Sequence, residues 1–202
     1  MPSAGTTATS VSITVSTAPE WRPGDRWVYR WANTGASGTR TIEVLETREV
    51  SGARYYVLKS PDDDLLNFWT LDLRWAFAVG TQDSKVQARV DHPVPWFNWP
   101  LEVGRRWTHQ AIYEDRGGKR EANETFLVVG RETVEVPGGR FDAFKIVREG
   151  QSVDSDQYWY APEVRSYVKW ILKRGGKSVE EQLVDYKPAE RLIPPKASSS
   201  AK

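Results

Sequence analysis

Apolar residues fall at every second position through much of this chain. The clearest run is Trp69, Leu71, Leu73, Trp75, Phe77 and Val79, separated by Thr70, Asp72, Arg74, Ala76 and Ala78. An extended chain sends alternate side chains to opposite faces, so this spacing predicts one long strand with a continuous apolar ridge. A helix would scatter the same six residues around its circumference. Shorter runs repeat the pattern: Val11, Ile13, Val15; Trp27, Tyr29, Trp31; Ile42 and Val44; Tyr55 and Val57; Phe126 and Val128; Val168, Trp170, Leu172; Val184 and Tyr186.

Turn signals separate these runs. Gly117-Gly118 and Gly175-Gly176 sit in polar stretches between strand-like segments, and Pro137-Gly138-Gly139 and Ser51-Gly52 mark two further breaks. Glycine accepts the positive φ that tight hairpins require. No run of helical period carries caps at both ends. Short helices are compatible with the pattern only near 62–67 and 91–96, and the prolines exclude a long one. The fold class expected is mostly β: a curved antiparallel sheet, or sheets, or a half-barrel, with few short helices.

The chain also echoes itself. Pro23-Gly24-Asp25-Arg26-Trp27 resembles Glu102-Val103-Gly104-Arg105-Arg106-Trp107, and Thr41-Ile42-Glu43-Val44 resembles Thr125-Phe126-Leu127-Val128. Arg48-Glu49 is echoed by Arg131-Glu132, and Phe68-Trp69 by Tyr158-Trp159. The organisation expected is a flexible N-terminal segment over 1–19, a first β half over 20–99, a related second half over 100–188, and a disordered tail over 189–202.

Composition narrows the function classes. The 202 residues carry 28 Lys and Arg against 27 Asp and Glu, so no charge excess points to nucleic acid. Without cysteine there are no disulfides, thiol nucleophiles or cysteine metal ligands. No stretch is long and apolar enough for a membrane helix. The first residues, as written, lack the basic and apolar regions of a signal peptide, although they would suit the remnant left after one.

Candidate chemistry is sparse. His92 and His109 are the only histidines, and neither stands in a catalytic motif. A pairing of a histidine with Glu114 or Asp115 is the one acid–base arrangement to consider. Asp62-Asp63-Asp64 lacks the spaced ligands and glycine of a calcium loop and reads as a solvated turn. Arg26-Trp27, Arg74-Trp75 and Arg106-Trp107 combine residue types found in single-strand nucleic-acid binders, but arginine stacking on indole is the simpler account. No catalytic residue, metal site or cofactor is assigned.

The ten Trp, eight Tyr and six Phe are the larger resource. Pro95-Trp96-Phe97-Asn98-Trp99-Pro100 is the densest cluster, and its prolines keep it out of a central strand. It reads either as a binding wall or as a linker that plugs the core. The candidate ligand-binding set is Trp69, Leu71, Leu73, Trp75 and Phe77, with Trp96 and Trp99 at its rim, supplying contact area without chemistry.

The run Val134-Glu135-Val136-Pro137-Gly138-Gly139-Arg140-Phe141-Asp142-Ala143-Phe144-Lys145-Ile146, with Tyr158-Trp159-Tyr160-Ala161-Pro162-Glu163-Val164 and Pro100-Leu101-Glu102-Val103-Gly104-Arg105-Arg106-Trp107, resembles a group of bacterial envelope proteins that includes the TapB-like ones. The resemblance spans about Pro100 to Lys169. More distantly, such proteins are similar to half-barrel lipoprotein carriers of the LolA/LolB type, although this sequence shows no long helices to lid a sheet. The resemblance implies a periplasmic or cell-envelope location and a lipid, other apolar ligand or lipoprotein segment as partner. Two further readings stand beside it: a module that pairs with an envelope protein through a sheet edge, and a carbohydrate binder or hydrolase.

Overall fold

The computed structural model describes residues 14–61, 64–150 and 153–190. Val11, Ile13, Asp62, Asp63 and the tail beyond 190 lie outside the described residues. Twelve strands follow one another: β1 (Arg26–Asn33), β2 (Ser37–Val50), β3 (Ala53–Lys59), β4 (Leu65–Thr70), β5 (Trp75–Gly80), β6 (Val86–Val94), β7 (Arg106–Asp115), β8 (Gly118–Val136), β9 (Gly139–Gly150), β10 (Val153–Ala161), β11 (Ser166–Arg174) and β12 (Lys177–Lys187). Each pairs antiparallel with its sequence neighbours, and β1 pairs with β12. The sheet expected to curve therefore curls through a full turn and closes, which removes its edges. The one helical piece among the described residues is the single turn Pro162–Val164. Where a short helix was compatible with the sequence, residues 65–67 belong to β4 and residues 91–94 to β6.

Alternation holds on most strands. Trp27 and Tyr29, Val44, Tyr56 and Leu58, Trp107, Phe126 and Val128, and Ile146 and Tyr158 all pack in one central cluster. A twelve-stranded barrel encloses more space than aliphatic side chains fill readily, and large aromatic rings occupy it. The expected Gly-Gly turns join β7 to β8 and β11 to β12.

The long ridge strand is a correction. Thr70–Arg74 is a tight turn, and the predicted single strand is the hairpin β4–β5. The Thr70 amide donates to the Arg74 carbonyl at 2.8 Å, and the Arg74 amide donates to Thr70 Oγ1 at 3.0 Å. Asp72 accepts from Thr70 Oγ1 at 2.5 Å and from Arg74 Nε at 2.6 Å. Leu73 sits at φ 63°, a left-handed conformation that few non-glycine residues adopt. A bulge then pairs Trp75 with Trp69 but Phe77 with Phe68, so Trp75 and Phe77 face opposite sides of the sheet.

The starts of β1 and β7 share a bonding pattern. The Gly24 amide donates to the Val44 carbonyl and the Gly104 amide to the Val128 carbonyl, each at 2.8 Å. Both glycines hold a positive φ, 93° and 90°, which a side chain would strain. One residue later, the Val44 amide returns to the Asp25 carbonyl and the Val128 amide to the Arg105 carbonyl. The indoles of Trp27 and Trp107 then each donate to a distant carbonyl, Val164 at 2.8 Å and Pro95 at 2.9 Å.

The barrel has a weak seam. Between β6 and β7 the ladder is confined to Ala88–Asp115, Arg89–Glu114 and Val90–Tyr113, whereas β7 pairs with β8 along its whole length. Side chains take over beyond it: Asp91 accepts from the Ile112 amide at 2.8 Å, and a His109 ring nitrogen meets the His92 carbonyl at 2.8 Å. Asp91→Ala is expected to accelerate amide exchange at Ile112 at least tenfold, read by NMR hydrogen exchange, while β9 and β10 stay protected.

A candidate aromatic site in the barrel lumen

One end of the barrel is stoppered. The segments before β1 and before β7, the Thr70–Arg74 turn and the Pro162–Val164 turn meet there. The Trp21 indole donates to the Arg165 carbonyl at 2.8 Å, and the Trp99 indole to the Asp72 carbonyl at 3.1 Å. Asp25, fully buried, accepts from the Arg22 amide at 2.7 Å, the Ala189 amide at 2.8 Å and Arg165 Nη2 at 2.6 Å. This ties the chain's approach to β1 to its departure from β12.

Above the stopper lies a cavity of about 240 Å³. Its walls are mostly rings: Trp21, Trp27, Trp69, Trp96 and Trp170, with Tyr29, Phe97, Tyr158 and Tyr167. Trp21 packs against Trp27 and Trp69 with ring centres 5.4 and 5.8 Å apart. Trp96 and Phe97 enter from the Pro95–Pro100 linker and contact Tyr158 edge-on. That linker therefore does both things the sequence allowed: it plugs the core, and its rings line a cavity.

The cavity has a polar side. Arg40 Nη2 donates to Glu181 Oε2 at 2.7 Å and to the Tyr167 hydroxyl at 2.9 Å, and that hydroxyl donates to Glu181 at 2.8 Å. The Tyr29 hydroxyl donates to the Tyr167 carbonyl at 3.0 Å, and its ring stacks on Tyr167. Burial pushes the Tyr29, Tyr158 and Tyr167 hydroxyls well above their ordinary pKa, so all three keep their protons. Three buried polar atoms of cavity-lining residues have no hydrogen-bond partner: Arg40 Nε, Ser60 Oγ and Tyr158 Oη.

A second polar cluster lies behind Trp96 and Trp170. Arg148 meets Glu124 at 3.3 Å and Asp156 at 2.5 Å, all three side chains being buried. The Arg148 guanidinium lies 4.4 Å from the Trp96 ring centre, and the Trp170 indole donates to Asp156. Tyr113 donates to Glu124 at 3.3 Å, and His109 Nδ1 lies 3.5 Å from Glu124. The buried histidine thus faces Glu124, where the sequence pointed to Glu114 or Asp115. Those two bind Arg89 and Arg120 instead. His92 is exposed beside Asp91. Neither histidine lines the cavity, so no cleft joins a histidine–carboxylate pair to a substrate space there.

The candidate ligand set divides. Trp69 and Trp96 line the cavity. Trp75 lies near it on the same face, donating to Asn67 Oδ1 at 3.1 Å and stacking on Tyr113. Leu73 is fully buried in the stopper, and Trp99 packs there against Tyr160. Leu71 is exposed at the turn, and Phe77 stacks on Phe68 at 4.3 Å on the opposite face. The lining residues that the sequence reading passed over include Trp21, Arg40, Ser60, Tyr158 and Trp170. Arg40 carried a signal: it stands in phase with Ile42 and Val44, a cation on an apolar face.

No family model matches this chain, and no curated protein matches it. Among solved structures, it is similar to a candidate exported protein of YmcC-like fold from Bacteroides fragilis, at TM-score 0.50 and 14% identity over 85% of this chain and 99% of that one. A candidate lipoprotein from Parabacteroides distasonis matches at TM-score 0.43 and 13% identity, over 88% of this chain and 100% of that one. The first match places the chain among antiparallel β proteins of YmcC-like fold.

Proposed function

We propose that this is a non-catalytic binding barrel of the bacterial envelope, and that its lumen holds an apolar or amphipathic ligand such as part of a lipid or a lipoprotein segment. The observation that carries the reading is the ring-walled cavity within a closed barrel. Concave, mostly apolar space with a few polar groups is the usual form of a small-ligand site. The envelope location rests on the resemblance of Pro100–Lys169 to envelope proteins, and the description of the B. fragilis neighbour as exported agrees with it. The reading treats 20–99 and 100–188 as two related halves, supported by the matched bonding at Gly24 and Gly104.

A module pairing with a partner strand is the second reading, and the short β6–β7 ladder is what favours it. Native mass spectrometry of the purified protein, followed by organic extraction, separates the two. A stoichiometric apolar mass supports lumen binding. A clean apo mass, unchanged after incubation with membrane extract, would sink it and leave the seam as the working site. Trp69→Ala should reduce ligand retention at least tenfold, with a stability loss of only about 1–2 kcal/mol, because this ring borders existing space.

A further inference from the structure

We infer that the lumen's ligand is an anionic amphiphile, whose tail enters the cavity and whose head group sits at the barrel's lip beside Arg174 and Lys177. This rests on the lumen-binding reading above and adds to it the sign of the head group. The mouth lies opposite the stopper. The strands run up and down, so the hairpins β1–β2, β3–β4, β5–β6, β7–β8, β9–β10 and β11–β12 all stand at that end. The cavity reaches water there. Arg40 lines it and pairs with the inward-facing Glu181, yet its side chain is still 35% exposed.

Strands β11 and β12 build the wall from cavity to lip. Trp170 lines the cavity and stands opposite the buried Glu181. Side chains alternate, so the next cross-strand pairs on that face are Leu172 with Val179, and then Arg174 with Lys177. Leu172 and Val179 are half-buried, whereas Arg174 and Lys177 are exposed. Trp31, opposite Glu181 on the β1 side, extends the apolar wall. Its indole lies against Gly38, where a Cβ would meet the ring at 3.0 Å. At about 3.3 Å per residue, Arg174 stands about 13 Å along the strand from Trp170. The lumen face of this hairpin therefore runs from indole through aliphatic side chains to cations.

The charges at the lip point to an anion. Arg174 and Lys177 stand directly opposite each other, and like charges so placed weaken a sheet. Among the described residues neither forms an ion pair. The register that sets Asp156 opposite Leu172 brings Asp154 beside Arg174, so two cations share one neighbouring carboxylate. Cations deeper in the lumen are already matched: Arg40 meets Glu181, and Arg148 meets Glu124 and Asp156. Lys59 stands between inward-facing Leu58 and Ser60, so alternation aims it at the outer face. The cationic excess is thus at the lip, where a head group would remain in water while its tail lies among the rings.

The test is a tryptophan-fluorescence titration of the full chain, cleared of extractable ligand, with decanoate, decyltrimethylammonium and acetate at pH 8, below micelle-forming concentrations. The two amphiphiles share a tail and differ in the sign of the head, and acetate supplies the head alone. In low salt, decanoate is expected to bind about fivefold more tightly than decyltrimethylammonium, as two exposed charges allow. That difference should vanish at about 1 M salt, where the Debye length is only about 3 Å. Acetate should not displace decanoate. The double variant Arg174→Glu with Lys177→Glu, confined to an exposed hairpin, should reverse the order of the two amphiphiles. Trp69→Ala should weaken both alike. Equal affinities in low salt would overturn the inference, as would an order unchanged in the double variant or displacement of decanoate by equimolar acetate. If neither amphiphile alters the fluorescence, or Trp69→Ala leaves both affinities unchanged, lumen binding itself fails, a result distinct from a wrong head group.

Discussion

Arg148→Met is expected to cost the barrel about 3–5 kcal/mol, measured by urea unfolding followed through tryptophan fluorescence. The arginine is bonded to two carboxylates that the fold buries almost completely, Glu124 and Asp156. Methionine fills much of the same volume and removes the charge. Glu124 and Asp156 would then lie side by side without the Arg148 charge between them, a costlier state than the intact cluster. Adding Glu124→Gln and Asp156→Asn to Arg148→Met should recover much of the loss, because the penalty comes from stranded charge more than from a lost attraction. A loss under about 1 kcal/mol for the single variant, within the range of an ordinary surface change, would show that water reaches the cluster.

The same cluster sets a pH dependence whose sign can be worked out. Burial holds Asp156 above the usual aspartate range, against the opposing pull of Arg148. A carboxyl raised in the folded state binds its proton more tightly there than in the unfolded chain. Its contribution is fully present below the ordinary aspartate value and is lost as pH rises through the raised one. Glu20, Asp91, Glu114 and Asp115 run the other way. Arg22 draws Glu20 down, the Ile112 amide Asp91, Arg89 Glu114, and Arg120 Asp115. Their contributions are present above the ordinary carboxylate values and fade as the solution is acidified. In Arg148→Met the lowering influence on Asp156 disappears, so the variant should recover stability as pH falls from 7 towards 5, where the surface carboxylates still hold theirs. An acid-side recovery absent from the variant would contradict the burial of these charges.

Trp27→Ala is expected to cost about 3–5 kcal/mol as well, through a different mechanism. Trp27 is 1% exposed and stacks on Tyr186 with ring centres 5.6 Å apart. Its indole satisfies the buried Val164 carbonyl. Alanine would empty that space and leave the carbonyl unmet, and both effects destabilise. Denaturant unfolding gives the magnitude. Trp69→Ala is the built-in comparison, since both indoles border the cavity but Trp69 is only partly buried. Equal losses for the two would mean that Trp69 is packed as tightly as Trp27.

Much of the β architecture was legible because alternation is local. A residue's face in a strand is set by its own backbone and its neighbours, so Trp27, Tyr29, Val44, Phe126 and Val128 could be grouped before any pairing was known. The hairpins at Gly117-Gly118 and Gly175-Gly176 were equally legible, since glycine announces a backbone that other residues avoid. The Thr70–Arg74 turn was hidden for the complementary reason. It contains no glycine, proline or asparagine; Thr70 and Asp72 stabilise it with side-chain bonds, and Leu73 accepts an unusual φ while burying itself in the stopper. Because the turn preserved the period-two spacing, the chain read straight through it. Trp69 and Trp75 ended on one face, while Leu71 and Phe77 went elsewhere.

The sequence by itself determined the strand-forming segments, most of their turns, the exclusion of cysteine chemistry and the dominance of indole rings. Tertiary structure alone decided that the sheet closes, that β6 and β7 join weakly, and that Trp69, Trp96, Arg40 and Trp170 meet around one space. Closure depends on the summed twist and shear of twelve strands, a quantity no single segment encodes. The partners of Arg40 and Arg148 lie far along the chain, at Glu181 and at Glu124 and Asp156, and charge composition cannot reveal which opposite charges the fold will bury together.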